Sequence, residues 1–331
     1  MPVRTRSAGS SWEGSASPEL PPLIVLAGAT ASGKTALSLG LAERLEGLEI
    51  VSADSRQVYR GMDIGTAKVS ADEQRAVTHH CLDLVDADVP FTAADYRAAA
   101  LEALEAIAAR GGIACLVGGT GLYLRAVARG FPLDQGATDE RVRADLEAAL
   151  VDDGLDGLVE RLRSEDPEAA ASIDLRNPRR VVRALERFAV TGSGLPPRPA
   201  GYPGSVVWLG LQVQPEEHRR AVADRVVAQF DAGLLDEARH LLSRYPADTP
   251  AFSALGYHEA FDVLEGRTDL AGAIETDTTR TWAYARRQKS WFRSEAGLIP
   301  VEGGAGDVDR AMLALEPFLG ALGDAEYAGR A

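Results

Sequence analysis

"LIVLAGATASGKTALSLGLAERL", Leu23 to Leu45, decides how this chain folds. Its first residues are apolar without a break, the mark of a strand buried on both faces. A glycine-rich turn runs from Gly28 to Gly33, and apolar residues then recur at helical spacing from Lys34 onward. Gly28, Gly33, Lys34 and Thr35 satisfy the pattern G-x-x-x-x-G-K-[ST], a phosphate-binding loop. Glycines let backbone N–H groups turn inward toward an anion, and the following helix adds the positive end of its dipole. Lys34 reaches terminal phosphate oxygens in such a loop, and Thr35 offers its hydroxyl to Mg²⁺. The pattern specifies a phosphate chain without naming the compound.

Working outward, "GLEIVSADSRQVY" reads as a second strand, Glu49 to Ala53, ending at Asp54. "YRAAALEALEAIAARGG" has apolar residues at helical spacing and stops at Gly111-Gly112, and "IACLVGGTGLYLRAV" is a third buried strand running into a second glycine turn. This alternation predicts an α/β fold, a P-loop NTPase-like parallel sheet core with helices on both faces. After "FPLDQGATDE" the pattern changes, and residues 138–190 hold no strand. The expected layout is an N-terminal extension at 1–20, disordered because it is rich in Ser, Gly and Pro; a first part of the core at 21–136; a helical insertion at 137–200; a second part of the core at 201–300; and a tail at 301–331. In the second part "SVVWLGLQV" returns one strand to the sheet, and helices follow to about Arg293. The tail from Glu302 is Gly- and Ala-rich, with room for one helix at most.

Bulk numbers narrow the function classes. The 331 residues are 46% hydrophobic and 25% charged, as in a globular protein with a substantial core. The two cysteines, Cys81 and Cys115, are too few for a disulfide framework, so a cytoplasmic location is expected. No apolar run approaches the roughly 18 residues that suggest a membrane span. A net charge of −14 speaks against a generally basic nucleic-acid binder and leaves only local basic patches for that role.

An ordinary P-loop ATPase carries an apolar strand ending in an Asp that holds Mg²⁺. Here the candidate strand ends in Gly118-Gly119-Thr120-Gly121, and the acid at a strand end is Asp54. One carboxylate must therefore serve as metal anchor or as base. His79, His80 and Cys81 are adjacent, but no second ligand pair lies at a spacing suited to zinc, so a packed or phosphate-facing His pair is expected.

Several motifs, taken in order, resemble the tRNA dimethylallyltransferase (tRNA isopentenyltransferase) family. Besides "GATASGKT" they are "DSRQVY" from Asp54 to Tyr59, "MDIGTAK" from Met62 to Lys68 and "HHCLD" from His79 to Asp83. "GGTGLY" follows from Gly118 to Tyr123, then "RNPRRVVRALE" from Arg176 to Glu186, "LGYHE" from Leu255 to Glu259 and "RRQKSWFR" from Arg286 to Arg293. The resemblance covers roughly residues 22–295, and His258 stands where the family more often has Lys or Arg.

The resemblance implies transfer of a dimethylallyl group from dimethylallyl diphosphate to N6 of adenosine 37, beside the anticodon of tRNA, with release of diphosphate. It implies Mg²⁺, a tRNA partner engaged at the anticodon stem-loop, no membrane partner and a monomer. The diphosphate would lie on Gly28, Ala29, Thr30, Ala31, Ser32, Gly33, Lys34 and Thr35, with Arg286 or Arg287 closing over it. Asp54 would be the base that takes the amine proton, its competing roles being a helix cap or an indirect Mg²⁺ anchor. Thr120 would donate to the bridging oxygen, or else merely pack the glycine pair. Contacts to tRNA would come from Asp54, Ser55, Arg56, Gln57, Thr120, Arg143, Arg179, Arg180, Arg183, Gln288, Trp291 and Arg293. Arg176, Arg180, Arg183 and Arg187, at spacings of 4, 3 and 4, are expected on one helix face along a phosphate backbone. Ser55 and Gln57 would read a flipped-out adenine, and Tyr59 would stack on it or pack in the core. The competing reading is a P-loop small-molecule kinase using ATP. Prenyl transfer to free adenine nucleotides and a non-catalytic RNA-binding module are further alternatives. The first leaves the insertion without a role, and the second leaves Lys34 and Asp54 without one.

Overall fold

The structure, a computed structural model, describes residues 20–133, 137–302 and 307–328, so the N-terminal extension lies outside the described residues except for Leu20. The sheet has six strands: β1 (Leu23–Ala27), β2 (Leu48–Ser52), β3 (His79–His80), β4 (Ile113–Gly118), β5 (Val206–Gln212) and β6 (Leu298–Glu302). Their order is β3-β2-β4-β1-β5-β6, and every pair is parallel. β1 is central, with Leu23 in register with Ala114 of β4 and with Val206 of β5, and all its residues are buried. Its uninterrupted apolar run is what a strand covered by helices on both faces requires. The expected α/β core with a parallel sheet is the fold observed.

Two strands were not foreseen. β3 has only two residues, too few to show any periodicity. β6 contains Pro300, which cannot donate to a ladder and argues against a strand in sequence. It is tolerated because β6 is the sheet edge. β2 also runs one residue earlier than expected, although Ala53 still donates to Val117 O at 2.7 Å and holds Asp54 close to the end of β4.

The tail, read in sequence as having room for one helix, contributes to the core. The helix Val308–Ala328 buries Ala311 and Leu315 in one cluster with Ile24, Leu26, Leu37 and Leu41. Gly40 permits the close approach, since a Cβ there would stand 2.4 Å from Val308 Cγ2. Ala311 and Leu315 are four residues apart on one helical face, and their burial stabilises the β1 layer by removing apolar surface from water.

The chain divides into two compact units: Met1–Ala128 with Tyr202–Ala331, which contains the sheet, and Arg129–Gly201. The second unit is helical, with helices Glu140–Asp152, Gly154–Glu165, Pro167–Ser172 and Pro178–Thr191 around a core that includes Leu146, Leu158, Leu162, Val181 and Leu185. Its arginines do not form the single exposed face expected. Asn177 caps the last helix and Pro178 opens it, so Arg176 falls before the helix and pairs with Asp174 at 3.1 Å. Arg187 is buried and donates to Leu195 O at 2.7 Å. Arg143 and Arg183 both bind the buried carboxylate of Glu186, at 3.0 and 2.6 Å. Burial alone would raise that carboxyl, but hydrogen bonds from Arg183 and Arg143 hold it below the usual range. Arg179 and Arg180 are exposed.

Candidate active site

The phosphate-binding loop leaves the C-terminal end of β1 with Ala31 at φ 58° and Gly33 at φ 89°. This left-handed backbone turns successive N–H groups toward the start of the helix Lys34–Arg44, an anion-binding arrangement. Lys34 Nζ donates to Ala29 O at 2.7 Å. Burial, and secondarily the charge of Arg225, pushes the Lys34 ammonium down to about 8, while Asp54 opposes the shift. An anion arriving beside this lysine would stabilise its charged form.

Two turns meet the loop from the neighbouring strands. At Gly118 a Cβ would lie 2.1 Å from Ala53 O, so glycine is required for the ends of β4 and β2 to touch. That contact brings Thr120 to Ser55, whose backbone N–H donates to Thr120 Oγ1 at 3.1 Å, with the two hydroxyls 3.4 Å apart. Asp54 Oδ1 accepts from Arg56 N at 2.8 Å, an Asx-type turn that aims the carboxylate away from β2.

Thr30, Lys34, Thr35, Asp54, Ser55, Arg56, Gln57, Arg287 and Gln288 all line one cavity of about 450 Å³. Among the described residues that line it, Asp54 is the only acid, facing the basic groups of Lys34, Arg56, Arg225, Arg280 and Arg287. Of the paired arginines, both exposed, Arg287 lines the cavity beside Tyr284, and Arg286 is not among its lining residues.

Some expected contact residues serve the site's own architecture. Gln288 is buried; it accepts from Thr30 N at 2.8 Å and donates to Gly119 O at 2.9 Å, tying the phosphate-binding loop to the β4 turn. The Gln57 amide accepts from Ser52 Oγ and donates to Thr66 O and Ala67 O, holding the "MDIGTAK" segment. Tyr59 is buried in the main core. Trp291 stacks under the Arg125 guanidinium at 4.3 Å and packs against Gly121, while Arg293 is exposed. Lys289 donates to Val213 O at 3.2 Å, and Trp282 packs edge-on to His218. His80 Nε2 pairs with Glu49 at 2.7 Å, and burial pushes the Cys81 thiol up to about 12. Among the described residues no group of three or more His, Cys, Asp or Glu is gathered as a metal cage. No helix among them is long and apolar enough to cross a membrane.

A family model described as IPP transferase matches residues 57–295. The chain belongs to the IPP transferase family. A tRNA dimethylallyltransferase of Roseiflexus sp. (strain RS-1) is 46% identical over 294 residues, covering 87% of this chain and 95% of that protein. One of Geobacter metallireducens is 45% identical over 286 residues, covering 85% and 92%. The crystal structure of a full-length tRNA isopentenylpyrophosphate transferase from Bacillus halodurans superimposes with a TM-score of 0.68 at 38% identity, covering 94% of this chain and 99% of that one. A eukaryotic dimethylallyltransferase acting on tRNA superimposes with a TM-score of 0.74 at 26% identity, covering 89% and 78%.

In this IPP transferase several cavity residues escaped sequence reasoning. Arg225 lies on the helix Pro215–Asp231, in "HRRAVADRVVAQF", where it looks like any solvated helix charge. Its guanidinium donates to Thr66 O at 3.3 Å, and burial pushes its pKa down. Arg280 pairs with buried Glu259, behind which lies Asp277, 1% exposed and accepting from Thr281 at 3.0 Å. Burial, reinforced by Glu259, pushes the Asp277 carboxyl from 3.8 up to about 6.

That displacement has a sign that can be tested. Below about pH 4 the carboxyl is protonated in both the folded and unfolded chain. Between about pH 4 and 6 the folded protein keeps a proton that the unfolded chain releases, so this group makes stability fall as pH rises through that window. At ~1.4 kcal/mol per tenfold change in proton affinity, the loss is at most about 3 kcal/mol. Asp277→Asn escapes it. The variant's stability relative to the native protein, from urea midpoints, is expected to rise by about 2–3 kcal/mol between pH 4 and pH 7. A difference independent of pH would show that Asp277 titrates normally.

Proposed function

We propose that this chain transfers the dimethylallyl group of dimethylallyl diphosphate to N6 of adenosine 37 in tRNA. The observation that carries this is the single cavity in which the phosphate-binding loop, basic side chains and one carboxylate, Asp54, face each other. The N6 nitrogen attacks C1 of the allyl group, the C1–O bond breaks, and Asp54 takes the proton that N6 must lose. Diphosphate leaves with the bonding electrons. Its growing charge would be met by N–H groups of the phosphate-binding loop at the start of the helix, by Lys34 and by Arg225 and Arg287, which line the cavity with Thr35. Thr120, whose hydroxyl accepts from Ser55 N beside the cavity though it is not among the lining residues, would donate to the bridging oxygen.

Mg²⁺ fits the residues present. Thr35 offers a hydroxyl oxygen in the cavity, and this ion keeps most of its waters and takes few protein ligands. When bound, it would neutralise diphosphate charge. A kinase reading is disfavoured because β4 ends in Gly118 with no carboxylate to anchor a nucleotide's metal.

The adenine must leave its stack to reach Asp54. Arg179, Arg180 and Arg293, being exposed, are suited to tRNA phosphates. So are Arg143 and Arg183, held by Glu186 yet with 43% and 31% of their side chains accessible. The free, buried cysteines suit the reducing cytoplasm.

The test is to incubate the protein with Mg²⁺, labelled dimethylallyl diphosphate and unmodified tRNA. Label in RNA is the expected result. Consumption of the ATP γ-phosphate with unlabelled RNA would mean that the loop holds a nucleotide.

A further inference from the structure

Beside the reactive cavity lies a smaller one of about 50 Å³, whose lining includes Lys34, Thr35, Ser52, Asp54 and His79. A water requires roughly 10–15 Å³ of such space, so the cavity has room for a few. His79 Nδ1 stands 2.8 Å from Val77 O. A carbonyl oxygen can only accept, so Nδ1 carries the proton and Nε2 presents a lone pair. Burial pushes the imidazole's pKa down, which keeps the ring in this neutral form. Nε2 is itself buried and meets no hydrogen-bond partner. Buried acceptors of this kind are normally satisfied, by water where protein cannot reach.

We propose that this cavity is a built water site and that His79 is a positioning residue for Asp54. One water donates a hydrogen to His79 Nε2 and the other to the Asp54 carboxylate. It accepts from the Lys34 ammonium or the Thr35 hydroxyl, both of which line the same space. Asp54 Oδ1 is already held by Arg56 N at 2.8 Å. A second hold from the cavity side stops rotation of the carboxyl group and keeps it aimed at the amine. The inference rests on Asp54 acting as the base.

The test has two arms. A high-resolution crystal structure of the native protein is expected to show an ordered water within hydrogen-bonding distance of both His79 Nε2 and an Asp54 oxygen. In kinetics, His79→Leu is expected to lower kcat about tenfold, the size of one buried hydrogen bond, with KM unchanged for both substrates. His79→Gln, whose amide oxygen accepts from a similar position, is expected to restore most of the rate. A native crystal structure with no bridging water overturns the proposal, as does an equal loss in both variants or a loss confined to KM. Transfer by Asp54→Ala at the native rate would instead overturn the base assignment and leave the water in place.

Discussion

Asp54→Asn is expected to slow dimethylallyl transfer by at least about a hundredfold, with little change in KM for either substrate. The substitution isolates the chemistry. Asn keeps an oxygen that can accept from Arg56 N, so the turn that follows β2 survives. It keeps the side chain's size and loses only the ability to take a proton. Because Asp54 is the only acid among the described residues lining the cavity, no neighbour stands ready to replace it. The loss should fall on kcat, since the proton is taken as the C–N bond forms and not on binding. Single-turnover rates with preformed tRNA complexes would measure it directly. Asp54→Ala should lose at least as much. Equal rates for Asp54→Asn and the native protein would leave Asp54 as a turn residue and send the search for the base elsewhere.

Lys34→Ala is expected to weaken binding of inorganic diphosphate by about a hundredfold or more, the cost of removing one partner from a buried charge pair. The same side chain makes affinity depend on pH. With its pKa pushed down to about 8, Lys34 is largely neutral in the unliganded protein above that pH. An anion must then draw a proton onto it, so native affinity falls as pH rises above about 8, by up to about tenfold per pH unit. Lys34→Arg stays charged and should lack this added fall, so the ratio of variant to native affinity rises from pH 7 to pH 9.5. Taking the ratio cancels the titration of diphosphate itself. Calorimetry at both pH values would reveal the slope; a constant ratio would place the Lys34 pKa at its ordinary value.

How much could be read in advance follows from the range of each interaction. The phosphate-binding loop was legible because its elements are local: strand, glycine turn, Lys34 and the helix start are contiguous in the chain. The places of Asp54 and Thr120 just past strand ends were legible because each comes within a few residues of an apolar run. The arginine face of the insertion was misjudged because spacing says which residues share a helix face, not what that face packs against. Arg187 was turned inward to Leu195 O, and Glu186 gathered Arg143 and Arg183. Gln57 was expected to read a base and Gln288 to contact tRNA, and each also ties together two segments of its own site.

The sequence by itself determined the parallel α/β core, the anion cradle at the end of β1, the helical character of the insertion and the family, because these depend on near-neighbour patterns of polarity and on backbone freedom. Only the tertiary structure decided that Arg225 and Arg287 face the cavity, that β6 and the last helix complete the core layer, and that His79 Nε2 is buried without a partner beside Asp54. Those outcomes depend on which side of each helix is covered by segments distant in the chain. No local pattern records that choice, since a charged residue has the same spacing whether it faces water or a neighbouring carboxylate.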